Sequence, residues 1–447
     1  MFPIIAEILD RFNDHLDTRA IIIDRDANKP GVAALKEHLP QGKWLVAADA
    51  NTWEAAGADF AAVLDDQGLS WERYTVEDGH EGAPPICADD RIGDFEKALV
   101  ASDAVAGIAV GAGTINDIVK KASDNQGLPM ACVATSPSMN GYTSGIAAVL
   151  SDGVKTTIAC KAPKVVIADV DVMAESPYRM ICSGLGDLMS KPVSNADWQL
   201  SAWLNETYHS SEAMEIIEAG AAMLEGVAEK LPDRDRDAVA GLTASLMLSG
   251  LAMSVAGSSS PASGGEHLVS HFIDMTAYAF GDPHDFHGCQ VGVGTITSGM
   301  LYERLLAMDP EDIDVDARVE ALLPWEEYEE LLRDRFGTLF DAVVKHAKPG
   351  YPTKDELRQR LTRLVEGWEK LETEVARTLR TGQSLEDELV SAKCPVRFAE
   401  LGVEEDRARR AIAHSKDIRN RYTILHLAWE LGLIDEWTDE VLERLAS

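Results

Sequence analysis

The feature that most constrains this chain is a change of pattern near residue 170. Ahead of it, short runs rich in Val, Ile and Ala read as strands: KWLVAAD at 43–49, residues 71–76, VAGIAVGAG at 105–113, MACVATSP at 130–137, TTIAC at 156–160 and KVVIAD at 164–169. Helix-period stretches separate the first of these, TWEAAGADFAAVLDD from Thr52 and DDRIGDFEKALVAS from Asp89. Such alternation predicts a mostly parallel sheet covered on both faces. Behind the change, SEAMEIIEAGAAMLEGVAEKL, AVAGLTASLMLSGLAMSVAG and KDELRQRLTRLVEGWEKLETEVARTLRTG follow one another with three-to-four-residue apolar spacing, and no convincing strand returns. The expected organisation is an α/β domain over residues 1–171 and an all-α domain over 172–447, and a chain that is 46% hydrophobic can fill both cores.

Charge narrows the partners. With 41 Lys and Arg against 75 Asp and Glu, the net charge of −34 repels phosphate backbones and anionic lipid, and no basic cluster offsets it. Neither nucleic acid nor a membrane surface is an expected partner. No apolar run is read as reaching the roughly 18–20 residues of a membrane span, and the start, MFPIIAEILDRFNDH, reads as an acidic amphipathic helix without a signal layout. The six cysteines are scattered with no CxxC pair, which suits a reducing compartment and argues against a disulfide framework. A soluble, cytoplasmic protein is expected.

Six places along the chain carry residue types suited to chemistry. GAGTINDIVKKAS at 111–123 leaves a strand and opens a helix, so Gly111 and Gly113 would let the backbone approach a pyrophosphate while first-turn N–H groups face it. The alternative is a Gly-rich turn with no ligand. Asp49, ending an early strand, suits the ribose hydroxyls of NAD, or else a helix N-cap. The polar loop ATSPSMNGYTSG at 134–145 leaves a buried strand where such sheets line a ligand crevice. In the helical half, SGGEHLVSH places His267 and His271 on one helical face, HDFHGCQVG offers His284 and His287, and GLGDLMSK puts Asp187 at the start of a helix. Two imidazoles and a carboxylate suit a divalent transition metal with positions open for substrate oxygens, although a packed, hydrogen-bonded histidine pair explains 267 and 271 equally well.

In order along the chain, DANTWEAAG, GAGTINDIVKKAS, PSMNGYTS, GLGDLMSKPVSNADWQLS, GSSSPASGGEHLVSHFIDM, HGCQVGVGTI and IRNRYTILHLAWELGLID resemble the iron-containing alcohol dehydrogenase superfamily, and within it the glycerol-1-phosphate dehydrogenases of bacterial AraM type. The resemblance implies a Rossmann-like dinucleotide-binding domain, a helical metal-binding domain and an active site in the cleft between them. It implies metal ligands at Asp187, His267 and His287, with His271 and Asn140 as catalytic groups. It also implies cofactor contacts at Asp49, Gly111, Gly113, Thr114, Asn116, Asp117, Thr135 and Ser138.

Two positions depart from that pattern. Ser260 stands where members commonly have Arg, and Asn140 where they commonly have Asp. Losing a guanidinium removes the bidentate donor suited to phosphate, unless cations such as Lys155, Lys161 or Lys191 replace it. The expected activity is interconversion of a small polyol or polyol phosphate with its ketone, led by glycerol 1-phosphate and dihydroxyacetone phosphate. It would use NAD(H), with NADP(H) as the alternative, and one Zn, Ni or Fe ion, in a homo-oligomer. A non-phosphorylated polyol substrate and a non-catalytic dinucleotide or metal binder are the alternatives.

Overall fold

The structure, a computed structural model, describes residues 2–79, 84–151 and 154–446. A six-stranded sheet is formed by β1 (Ala20–Asp24), β2 (Trp44–Ala48), β3 (Trp71–Thr75), β4 (Ala106–Gly111), β5 (Met130–Ala134) and β8 (Val165–Asp169), in the order β1-β8-β5-β4-β2-β3. Every pairing in it is parallel. β2, β4 and β5 are buried along their whole length, which is why they read as continuous Val/Ile/Ala runs rather than as an alternating pattern. β6 (Ile146–Ser151) and β7 (Val154–Ala159) form a separate antiparallel hairpin. TTIAC therefore supplies a hairpin strand and not a sheet strand.

Parallel strands carry their C-terminal ends to one edge. Asp49, 111–113 and 135–138 follow β2, β4 and β5, three adjacent strands, so the fold gathers these loops side by side.

The chain packs as two compact units, Met1–Leu188 with Glu212–Ser259, and Met189–Ser211 with Ser260–Ser447. This differs from a single division at residue 171, because helices beyond that point complete the sheet unit. Chief among them is Arg236–Ala256, whose residues are buried on every side. By length and composition alone this helix could cross a membrane, contrary to the sequence expectation, but 89% of its apolar window is buried inside the protein. Its Ser, Thr and Gly residues break up the apolar run, and a helix buried all round shows little amphipathic contrast.

Candidate functional site

At the sheet edge, helix α1 (Gly113–Asn125) begins directly after β4. Its N-cap is Ala112, which offers no side-chain cap, and its first turn has no acidic residue. The neighbouring helix starts differ: Asp49 Oδ1 accepts from Thr52 N at 2.7 Å, and Asp169 accepts from Asp171 and Val172. The first-turn N–H groups of α1 thus lack the carboxylate that serves its neighbours, which is the chemistry a pyrophosphate requires. A Cβ on Gly111 would lie 2.7 Å from Ile115 Cβ, so glycine there is required by packing, while Gly113 and Thr114 are half-buried at the mouth of the turn. Asp49, half-buried, is an N-cap, the simpler of its two readings.

Asn116 and Asp117 serve the chain itself. Asn116 is fully buried and donates to Asp117 Oδ1, and Asp117 Oδ2 accepts from Ala148 N at 2.9 Å. Lys120, also fully buried, sits 3.3 Å from Asp117 and donates to the carbonyls of Gly141 and Ile146 at 2.7 and 2.8 Å. The pair clamps α1 to the start of the hairpin.

Thr135 and Ser138 lie in the next loop, both buried. Thr135 N donates to the Gly111 carbonyl at 3.3 Å, and the Ser138 carbonyl accepts from Ser183 at 2.9 Å. Ser183 belongs to helix α2 (Tyr178–Met189), which carries Asp187 near its C-terminal end. The expectation that Asp187 opens a helix is therefore corrected. A Cβ on Gly184 would fall 1.7 Å from the Pro137 carbonyl oxygen, so glycine there lets the helix approach the loop. The negative end of the helix dipole then favours a cation near Asp187. Asp187 is 1% exposed, and both of its oxygens face Asn140: Oδ1 accepts from Nδ2 at 3.0 Å and Oδ2 from the backbone N–H at 3.2 Å.

In the other unit, helices α3 (Gly265–Phe280) and α4 (His287–Leu306) bring three imidazoles together. Ring centroids are 5.1 Å apart for His267 and His287, 5.4 Å for His271 and His287, and 6.2 Å for His267 and His271. Glu266 Oε1 lies 2.8 Å from His267 Nδ1, and Ser270 Oγ lies 3.0 Å from His287 Nδ1. Gln290 holds Ser270 at 3.1 Å and donates to Asp274 at 2.8 Å. Anchoring Nδ1 fixes ring orientation and leaves Nε2 as the nitrogen that could take a metal. Burial pushes the Glu266 carboxyl up to about 7. His284 is exposed and pairs with Tyr278 at 5.4 Å, outside the cluster. Among the described residues no group of three or more His, Cys, Asp or Glu side chains is arranged to hold a metal ion. By their chemistry the clustered imidazole nitrogens are of the kind that ligate divalent transition ions.

Ser260 opens a short turn, Ser260–Ala262, ahead of α3. Lys191, 4% exposed, donates to the Ala262 carbonyl at 3.3 Å, and Arg421 donates to the Ser263 carbonyl at 2.5 Å. Lys161 is exposed in the sheet unit, and the Lys155 side chain lies outside the described residues. Sequence reasoning missed Glu266, Ser270, Gln290, Lys120 and Arg421. Glu266 directly precedes His267 and was the one visible signal; the others act across long sequence separations.

One unit thus holds a parallel sheet with a Gly-X-Gly turn at its edge, and the other holds a cluster of imidazoles. The sequence model of the iron-containing alcohol dehydrogenases matches residues 23–177. Glycerol-1-phosphate dehydrogenase (NAD(P)+) of Bacillus subtilis (strain 168) is 31% identical over 386 residues, covering 86% of this chain and 84% of that protein. The enzyme of the same name from Pyrococcus horikoshii is 39% identical over 195 residues, 44% of this chain and 55% of that one. Among solved structures, a probable glycerol dehydrogenase from Sinorhizobium meliloti 1021 aligns with a TM-score of 0.60 at 14% identity, covering 95% of this chain and 98% of the other. The chain belongs to the glycerol-1-phosphate dehydrogenase family of NAD(P)-dependent oxidoreductases, within the iron-containing alcohol dehydrogenase superfamily.

Proposed function

We propose that this chain interconverts dihydroxyacetone phosphate and sn-glycerol 1-phosphate with NAD(H), using one divalent ion held by Asp187, His267 and His287. The observation that carries this reading is the cluster of three imidazoles, two of them anchored at Nδ1 by Glu266 and Ser270. When bound, the ion supplies Lewis acidity toward a carbonyl oxygen and the nicotinamide supplies hydride.

The chain's own groups orient and protonate. Asn140 sets both oxygens of Asp187, Glu266 sets His267, and Ser270 with Gln290 sets His287. His271 gives the proton to the nascent product hydroxyl and takes it back in the reverse direction. Gly111, Gly113 and Thr114 receive the pyrophosphate at the start of α1, with Asp49 toward the adenosine ribose and Thr135 and Ser138 toward the nicotinamide. The enzyme works in the cytoplasm as a homo-oligomer, without nucleic-acid or membrane partners.

The test is NADH oxidation with dihydroxyacetone phosphate, dihydroxyacetone and simple aldehydes, on metal-stripped protein reloaded with Zn²⁺, Ni²⁺ or Fe²⁺. Metal-dependent turnover greatest with dihydroxyacetone phosphate is expected. Preference for an unphosphorylated carbonyl would favour a polyol dehydrogenase, the reading to which Ser260 points, and NADH binding without turnover on any carbonyl would end the enzymatic account.

A further inference from the structure

Lys191 and Arg421 are 230 residues apart in sequence, yet both donate to carbonyls of one short loop, at the adjacent residues Ala262 and Ser263. Neighbouring residues are about 3.8 Å apart along the chain, so the two cationic heads share one stretch of backbone. Both also act on the Glu266 carboxyl, opposing the effect of its burial, and Glu266 anchors His267. Burial draws the Arg421 guanidinium down to about 10, which leaves it cationic at neutral pH.

Holding two cations together inside a protein carries a desolvation cost. In a chain of net charge −34, an anionic ligand needs local cations to overcome long-range repulsion. Lys supplies a point charge and Arg a planar fork, and together they match the tetrahedral dianion of a phosphate monoester. A three-carbon substrate separates its carbonyl from its phosphate by only a few bonds. The cations must then stand close to the imidazole cluster, and Glu266 links the two.

We propose that Lys191 and Arg421 form the phosphate-recognising subsite of this enzyme, at the loop 260–263, and that they do the work for which Ser260 has no charge. This rests on the polyol-phosphate reading above. An arriving phosphate would exchange the carbonyl contacts of both side chains for charge-assisted ones.

The test compares kcat/KM for dihydroxyacetone phosphate and dihydroxyacetone in wild type, Lys191→Met and Arg421→Met, together with binding of inorganic phosphate to the metal-free protein by calorimetry. Each variant should lower the preference for the phosphorylated substrate by about tenfold or more and weaken phosphate binding alongside. Lys191→Arg and Arg421→Lys should keep most of both. A preference and a phosphate affinity that survive both Met substitutions would overturn the subsite, while wild-type turnover left the broader reading standing. Loss of phosphate binding in the variants of a wild type that turns over no carbonyl would support the subsite and end that reading. Should the Met variants fail to fold, Ser260→Arg adds a third cation to the same loop and should tighten inorganic phosphate about tenfold. No tightening there would also overturn the proposal.

Discussion

Asn140 faces Asp187 with two donors, its side-chain amide at 3.0 Å and its backbone N–H at 3.2 Å, one to each carboxylate oxygen. An aspartate in the same place would set a second negative charge against the first and offer no amide. Asn140→Ala removes the side-chain donor and keeps the backbone one. Metal affinity should fall about 10- to 100-fold, the usual cost of losing a group that orients a ligand. Titration of the metal-free protein with Zn²⁺ against a competing chelator measures this, and an unchanged affinity would show that Asp187 needs no such support.

His271 is expected to leave its mark on pH dependence. His271→Ala should lower kcat about 10²- to 10⁴-fold and remove one limb of the kcat profile. Full activity with an unchanged profile would remove His271 from the proton-transfer role.

Lys120 and Asp117 offer a cleaner stability test, since neither is in the imidazole cluster. Lys120→Met leaves a buried carboxylate without its cation and should cost about 3–5 kcal/mol. Adding Asp117→Asn should recover part of that loss. Urea unfolding of the two single variants and the double variant gives the coupling directly, and strictly additive losses would mean the pair is not coupled.

Gly184 makes a steric prediction. A methyl group there would fall 1.7 Å from the Pro137 carbonyl oxygen and 3.1 Å from Leu246 Cδ1. Gly184→Ala should destabilise by at least about 1–3 kcal/mol, despite its better helix propensity. A rise in the thermal midpoint would show that helix and loop can part at little cost.

His414 sets an acid limit. Burial, helped by Arg335, holds its pKa down at about 4, against an ordinary 6.5. Between those values the unfolded chain binds a proton that the folded protein refuses, so stability falls as pH drops from 6.5 toward 4 and is fully present above 6.5. The loss attributable to this group is at most about 3 kcal/mol. His414→Gln should flatten that part of the stability curve, measured by urea unfolding from pH 4 to 7.

The legible parts of this molecule were those with local causes. Val, Ile and Ala runs marked the buried strands, and the glycines after β4 marked the turn into α1, because burial and backbone geometry act within a few residues. AIIID at 20–24 went unread as β1, an edge strand that is only partly buried, although it pairs fully with β8. The start of α2 was misplaced because glycines that permit a close approach look like glycines that end a helix. Lys120 and Arg421 could not be read at all, since what defines them is contact with carbonyls 21 and 158 residues away.

The interleaving of the two units has a consequence for biosynthesis. The chain leaves the sheet unit after Leu188, returns at Glu212 and leaves again after Ser259. Translation of the first 171 codons would therefore yield a nascent sheet still missing Arg236–Ala256, the helix most deeply enclosed within it. Until the ribosome has released residue 259, that apolar surface stays open to chaperones and to aggregation, and an expression fragment cut at the apparent domain boundary should be insoluble.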